Sequence, residues 1–94
     1  WGKTQYMLGD RLWSLGEERS DNALRRQGVE AQRESLKLYT RERNAADWAI
    51  TVYILGTKYH RLGLLERNQT DLQEATQLLA QSLEFYTRER NAVD

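Results

Sequence analysis

The sequence predicts an all-α fold, an α-α superhelix (solenoid) of two antiparallel helix hairpins with four helices in total. Three observations predict this fold. The chain repeats itself after 47 residues, its apolar residues recur at steps of three and four, and it contains no proline. No segment alternates between apolar and polar residues as a half-exposed strand does.

The internal repeat needs no gap. Shifting the 94-residue sequence by 47 positions aligns 17 identical residues in 47. The longest identical run is Tyr39–Ala45, which recurs as Tyr86–Ala92. We therefore expect repeat 1 over 1–47 and repeat 2 over 48–94. Neither unit has the atypical composition of a terminal cap, so the sequence is interpreted as an excerpt from a longer array.

Repeat 2 carries the clearest helical pattern. Its first helix is predicted over about 47–65, with Asp47 as N-cap, and its second over about 71–90. Asp71 and Glu74 resemble a capping box at the start of the second helix. The buried stripe of the first helix is predicted to be Trp48, Val52, Leu55, Tyr59 and Leu62. That of the second is predicted to be Leu72, Ala75, Thr76, Leu79, Leu83 and Tyr86.

Repeat 1 follows the same plan, with helices predicted over about 1–17 and 22–42. Asp21 is the predicted N-cap of the second helix. Trp1, like Trp48 in repeat 2, is expected to pack between repeats. The apolar positions of these two helices are Leu8, Leu12, Leu15, Val29, Leu36 and Tyr39.

Small residues recur at positions where two helices of a hairpin must approach closely. Gly9 and Gly56 lie midway along the first helices, where glycine costs about 1 kcal/mol relative to alanine. A tight contact with the second helix is the expected compensation. The facing small positions are predicted to be Gly28 and Ser35 in repeat 1, and Ala75 and Ser82 in repeat 2.

Composition excludes several functional classes. The chain has 14 basic and 14 acidic residues, which argues against a nucleic-acid partner and against a polybasic membrane anchor. It contains no cysteine, which fits a reducing cytosol, and a cytoplasmic location is therefore expected. His60 is the only histidine, and neither a phosphate-binding loop nor a metal-ligand motif occurs. We expect no enzymatic activity, no cofactor and no metal.

The small and large residues of each unit resemble the tetratricopeptide repeat over the whole chain. The first copy of that pattern is Leu8-Gly9-Leu12 with Gly28 and Ser35. The second copy is Leu55-Gly56-Tyr59 with Ala75 and Ser82. Each unit is longer than the usual length of about 34 residues, and Thr40 and Thr87 stand where that family has a proline.

Two phrases resemble a long-repeat subclass found in bacterial multidomain proteins. They are YTRERNAADWA at 39–49 and LGEERS at 15–20. Arrays of that subclass often accompany signalling modules such as caspase-like proteases and nucleotide-dependent switches. By resemblance, the chain could therefore be a regulatory segment of such a signalling protein.

The tetratricopeptide resemblance implies a scaffold for protein–protein interaction, in which the first helices line a concave groove that holds a partner peptide or helix. In repeat 1 the groove positions are Lys3, Tyr6, Asp10, Trp13 and Ser14. In repeat 2 they are Ile50, Tyr53, Thr57, His60 and Arg61. The Asn and Lys of the family's peptide-carboxylate clamp are missing, since those places hold Met7 and Ile54, then Ser14 and Arg61.

Other roles stay open for several of these residues. Tyr6 and Tyr53 recur between the repeats, so a structural role competes with groove lining, and Trp13 has no aromatic counterpart. The alternative function is a structural or oligomerisation module that self-associates through exposed repeat ends, with Trp1, Leu83 and Tyr86 among the exposed residues. In either case the expected partner is protein, not nucleic acid or membrane.

Overall fold

The computed structural model describes residues 2–93, with side chains described over 3–88. This range forms four α-helices and no strand, which confirms the all-α fold. The helices are α1 (Gly2–Arg19), α2 (Asn22–Glu34), α3 (Ala45–Glu66) and α4 (Gln69–Val93). The predictions made for Trp1 lie outside the described residues.

The helices pack as two hairpins. α1 packs closely along α2, and α3 packs closely along α4. α2 also packs on α3, so the second hairpin is stacked on the first through these two helices. No helix in the described range is both long and apolar enough to cross a bilayer.

The turn inside each hairpin has the same conformation in both repeats. Ser20 and Arg67, which are 47 positions apart, both adopt the left-handed conformation with φ of 51°. The following amides, of Asp21 and Asn68, donate to carbonyl oxygens five residues earlier at 2.8 and 2.9 Å. That bond is the one that closes a Schellman motif. The duplicated sequence therefore folds into a duplicated turn.

The N-caps agree with the predictions only in part. Asp21 caps α2 as predicted, because its carboxylate accepts a hydrogen bond from the Leu24 amide at 3.2 Å. The predicted cap Asp71 is wrong: α4 begins earlier, and Asn68 accepts from the Asp71 amide at 3.1 Å. α3 also begins earlier than predicted, so Asp47 lies in its first turn and not at its N-cap. A carboxylate in the first turn still interacts favourably with the helix dipole.

The second helix of repeat 1 is much shorter than the predicted span of 22–42. α2 ends at Glu34 and is followed by a single turn of 3₁₀-helix over Ser35–Lys37. The chain then turns to begin α3. Leu36 packs against the apolar core, to which α3 also contributes. The identical run Tyr86–Ala92 continues α4 without a break. The sequence of the identical run alone therefore does not determine whether the helix continues.

The core lies between the two hairpins and confirms the predicted stripe of α3. Its buried members are Val29, Val52, Leu55, Tyr59, Leu62, Ala75 and Leu78, with Trp13, Leu36 and Trp48 packed against them. The predicted stripe of α4 is wrong at its C-terminal end, where Leu83 is 67% exposed and Tyr86 42% exposed. Thr76 is exposed as well, and Leu78 is buried in its place. Leu83 and Tyr86 instead line an open pocket together with Tyr53 of α3.

The predicted close approach of the first two helices is confirmed at Gly9 and Gly28. A Cβ atom on Gly9 would lie 2.5 Å from the carbonyl oxygen of Gly28, and one on Gly28 would lie 2.6 Å from that of Gly9. The two backbones are therefore in contact where they cross. In repeat 2 the atom nearest to such a Cβ on Gly56 belongs to the side chain of Leu79, at 2.8 Å.

Candidate interaction surface

The predicted groove residues lie on α1 and α3, and these two helices are connected mainly through long side chains. Lys58 of α3 forms an ion pair with Asp10 of α1 at 3.2 Å. Arg61 of α3 forms another with Glu17 of α1 at 2.6 Å. The close helix packing involves α2 instead, which contacts both α1 and α3. These two pairs therefore bridge the surface between α1 and α3, which we call the channel.

The structure distributes the predicted partner-binding residues over three environments. Four are exposed: Lys3, Tyr53, Thr57 and His60. Asp10 and Arg61 are exposed but engaged in the two ion pairs that bridge α1 and α3. Tyr6 is half-buried, and Trp13 is half-buried against the core. The exposed side chains are the ones best placed to meet a partner.

Trp13 contacts residues of its own chain. Its ring packs against the core cluster, and the ammonium group of Lys58 lies 5.5 Å from the ring centroid. That geometry is a cation–π contact. The ring therefore joins the two hairpins, which is the structural alternative to partner contact.

A pocket of about 390 Å³ lies at the end of the channel near the N-terminus of α3, and we call it the inter-repeat pocket. It is lined by Lys3, Tyr6, Tyr39, Asp47, Ile50 and Thr51. Lys3, Tyr6 and Ile50 were predicted to line the groove. Tyr39 was expected in the interior of a helix, and its position in the connection before α3 places it here.

The inter-repeat pocket combines opposite charges with hydroxyl groups. Lys3 supplies a cation, and Asp47 supplies an anion on the opposite side. Burial raises the pKa of the Tyr6 phenol, and the nearby Asp10 carboxylate and Tyr39 raise it further. Tyr6 therefore keeps its proton at neutral pH and can donate a hydrogen bond to a ligand. A zwitterionic or amide-bearing ligand would match this set of groups.

A second pocket, of about 470 Å³, is lined by residues of the second hairpin alone. We call its lining residues the α3–α4 face; they are Tyr53, Leu79, Ser82, Leu83 and Tyr86. Tyr6 and Tyr53, which occupy equivalent positions in the two repeats, thus line different pockets. The structure therefore does not bring all predicted residues into one site.

Lys58 is the centre of a buried polar cluster that sequence inspection missed. Its ammonium group donates to Gln32 at 2.7 Å and to Asp10 at 3.2 Å. Burial lowers the pKa of Lys58, and the hydrogen bond to Asp10 partly opposes that effect. One feature of the sequence could have indicated this position: the equivalent residue in repeat 1, Arg11, is also a cation.

Two arginines of α2 hold α4 in place. Arg26 forms ion pairs with Glu66 and with Asp71, whose side chain is buried. These hydrogen bonds raise the pKa of Arg26, so its charge is permanent. Arg33 forms an ion pair with Glu74 at 3.0 Å. The interface between the hairpins is therefore specified by charge as well as by apolar packing.

The ligand of this surface is indicated neither by a metal site nor by similarity to a known protein. Over the described residues, no three His, Cys, Asp or Glu side chains cluster as they would around a metal ion. In comparisons with known proteins, no family model matches the chain, and neither a curated protein nor a solved structure matches it. The tetratricopeptide resemblance therefore stays a prediction that depends on the residues of this chain.

Proposed function

We propose that this chain is a protein-interaction scaffold that binds a segment of a partner protein in the channel between α1 and α3. The observation that carries the proposal is the inter-repeat pocket, because side chains from two hairpins converge there without filling the space. A pocket with a few convergent polar groups is the usual form of a ligand site. The scaffold has no catalytic role in this proposal.

The chemistry of the pocket favours a peptide. Lys3 and Asp47 offer one charge of each sign, and the hydroxyl of Tyr6 offers a hydrogen bond donor. Ile50 adds an apolar contact and is 45% exposed in the free chain. Peptide segments supply carboxylate, amide and aliphatic groups together. On the protein side, aromatic residues such as Tyr6 are enriched among those that dominate protein binding.

The channel is held in shape before any partner arrives. Lys58 and Arg61 bridge α3 to α1 through their carboxylate partners, and the α2–α3 packing fixes the separation of the hairpins. Binding to a preformed site loses less conformational entropy than binding to a mobile one. Thr57 and His60 are exposed further along α3, where they would extend the contact.

The proposal can be tested with peptides selected from a random library on the immobilised chain. The affinity of a selected peptide would then be measured by fluorescence anisotropy for the unmodified chain and for Ile50→Glu and Tyr6→Ala. Each substitution is expected to weaken binding at least about tenfold, which corresponds to about 1.4 kcal/mol. Gln77→Glu, an exposed position on α4, serves as the control and should leave the affinity unchanged.

Two results would contradict the proposal. One is a selected peptide whose affinity is the same for Ile50→Glu, Tyr6→Ala and Gln77→Glu. The other is a peptide that loses affinity only when the α3–α4 face is altered, for example by Leu83→Glu. Circular dichroism of each variant separates a lost contact from a lost fold.

A further inference from the structure

The chain exposes two apolar surfaces, one on the first hairpin and one on the second. One is the α3–α4 face, where Leu83 is 67% exposed. The other lies on α1, where Met7 is 59% exposed and Leu8 is 45% exposed. Thr4 and Arg11 line the same shallow depression on α1, which we call the α1 face. Exposed apolar surfaces of this kind often mark interaction sites.

The internal repeat shows what covers the equivalent of the α3–α4 face. Leu83 corresponds to Leu36 and Tyr86 to Tyr39 by the shift of 47 positions. In repeat 1, Leu36 is half-buried and packs against the core that α3 completes. Tyr39 lines the inter-repeat pocket together with Ile50 and Thr51 of α3, so the element beside this part of repeat 1 is the first helix of the next hairpin.

The α1 face carries the same residues as the covering helix α3. By the same shift, Thr4 corresponds to Thr51 and Leu8 to Leu55. Thr51 and Leu55 are fully buried in the internal interface, whereas Thr4 and Leu8 are exposed. α1 therefore presents the side chains that fit this kind of surface and does not use them within its own hairpin.

We propose that α1 of one copy of this chain docks on the α3–α4 face of a second copy, in the position that α3 takes on α2. The two surfaces are different, so the contact is heterologous. Each added copy leaves one α1 face and one α3–α4 face free, so the product is an open head-to-tail stack and not a closed dimer.

A contact between two copies would lack the polar interactions that Lys58 makes inside the chain, and this limits how tightly copies associate. Within the chain, Lys58 finds acceptors on Gln32 and Asp10. Between copies, the equivalent cation Arg11 would meet Leu79 and Thr57, which supply neither a carboxylate nor a carboxamide. The intermolecular contact is therefore mainly apolar, weaker than the internal interface, and dependent on protein concentration.

Light scattering and sedimentation velocity across a range of protein concentrations test the proposal. The unmodified chain should grow beyond a dimer as its concentration rises. Leu8→Glu removes the α1 face and Leu83→Glu removes the α3–α4 face, so each variant alone should remain a monomer. Mixed in equal amounts, the two variants should form a dimer that grows no further, because one intact face of each kind remains.

Leu65→Glu is the matched control, since Leu65 is 43% exposed, close to the 45% of Leu8, but lies in neither face. It should associate like the unmodified chain. Circular dichroism should show unchanged helix content in all variants.

Three outcomes would overturn the stack. They are a strict monomer for the unmodified chain at every concentration, a mixture of the two variants that stays monomeric, or equal loss of association in Leu65→Glu. Leu83→Glu should still bind the selected peptide, so failure of the stack and failure of the groove are separately visible.

Discussion

Lys58 and Gln32 form a buried hydrogen bond of 2.7 Å that joins α3 to α2. The Gln32 side chain is fully buried, and its amide nitrogen has no partner among the described residues. A buried polar group that loses its only partner costs about 1–3 kcal/mol. Any arrangement of the hairpins that separates the pair therefore carries this cost.

The first prediction concerns this pair. Lys58→Met should lower the free energy of unfolding by about 1–3 kcal/mol, because it leaves both polar ends of Gln32 unpaired. The double variant Lys58→Met/Gln32→Leu should recover most of the loss, since two apolar groups of similar size replace the pair. Urea denaturation of the four proteins of the cycle measures the coupling. Additive effects of the two substitutions would contradict the assigned contact.

The second prediction concerns pH. Hydrogen bonds from Arg61 and then Arg25 lower the pKa of Glu17 below its ordinary value of 4.5. The folded state therefore binds fewer protons than the unfolded state in acid, and the contribution of Glu17 is lost as pH falls through the folded pKa. The unmodified chain should exceed Glu17→Gln in melting temperature at pH 7, and the difference should vanish well below pH 4.5. A constant difference down to low pH would refute this linkage.

The third prediction compares equivalent glycines. Gly9→Ala brings a Cβ atom to 2.5 Å from the backbone oxygen of Gly28, so the helices must separate. A cost of about 1–3 kcal/mol is expected. Gly56→Ala meets the flexible side chain of Leu79, and the gain in helix propensity of about 1 kcal/mol offsets much of its cost. Thermal denaturation should therefore rank Gly9→Ala as the less stable variant; the reverse order would contradict the observed packing.

The fourth prediction concerns the turn of the second hairpin. Arg67 has φ of 51°, a conformation that costs a residue with a Cβ atom roughly 1–2 kcal/mol. Glycine adopts it freely but loses about 0.5–1 kcal/mol in chain entropy. Arg67→Gly should therefore raise stability by up to about 1 kcal/mol, measured by chemical denaturation. Arg67→Ala, which keeps the Cβ atom, is the control and should show no such gain.

Several features were predictable because they depend on spacing along the chain. The 47-residue shift predicts two hairpins, and the described turns at Ser20 and Arg67 repeat at that interval. The steps of three and four predict the buried face of α3. The positions of Gly9 and Gly28 predict a close helix crossing, since no side chain separates the backbones there.

The polar contacts between the hairpins were not predictable in this way. Lys58 lies on α3 among apolar neighbours, and its partners Asp10 and Gln32 come from two different helices. Their meeting depends on the angle at which the hairpins stack. The separation of Tyr6 and Tyr53 into two pockets has the same origin, because only Tyr6 is followed by a hairpin that packs beside it.

The sequence by itself determined the helical class, the number of helices and the face that α3 buries, because these follow from residue periodicity. Tertiary structure decided the conformation of the duplicated run. Tyr39–Ala45 forms the connection that leads into α3, whereas Tyr86–Ala92 is helical within α4. Identical residues have identical local preferences, so the difference comes from what surrounds the run: in repeat 1, Leu36 before it and Trp48 after it both pack against the core.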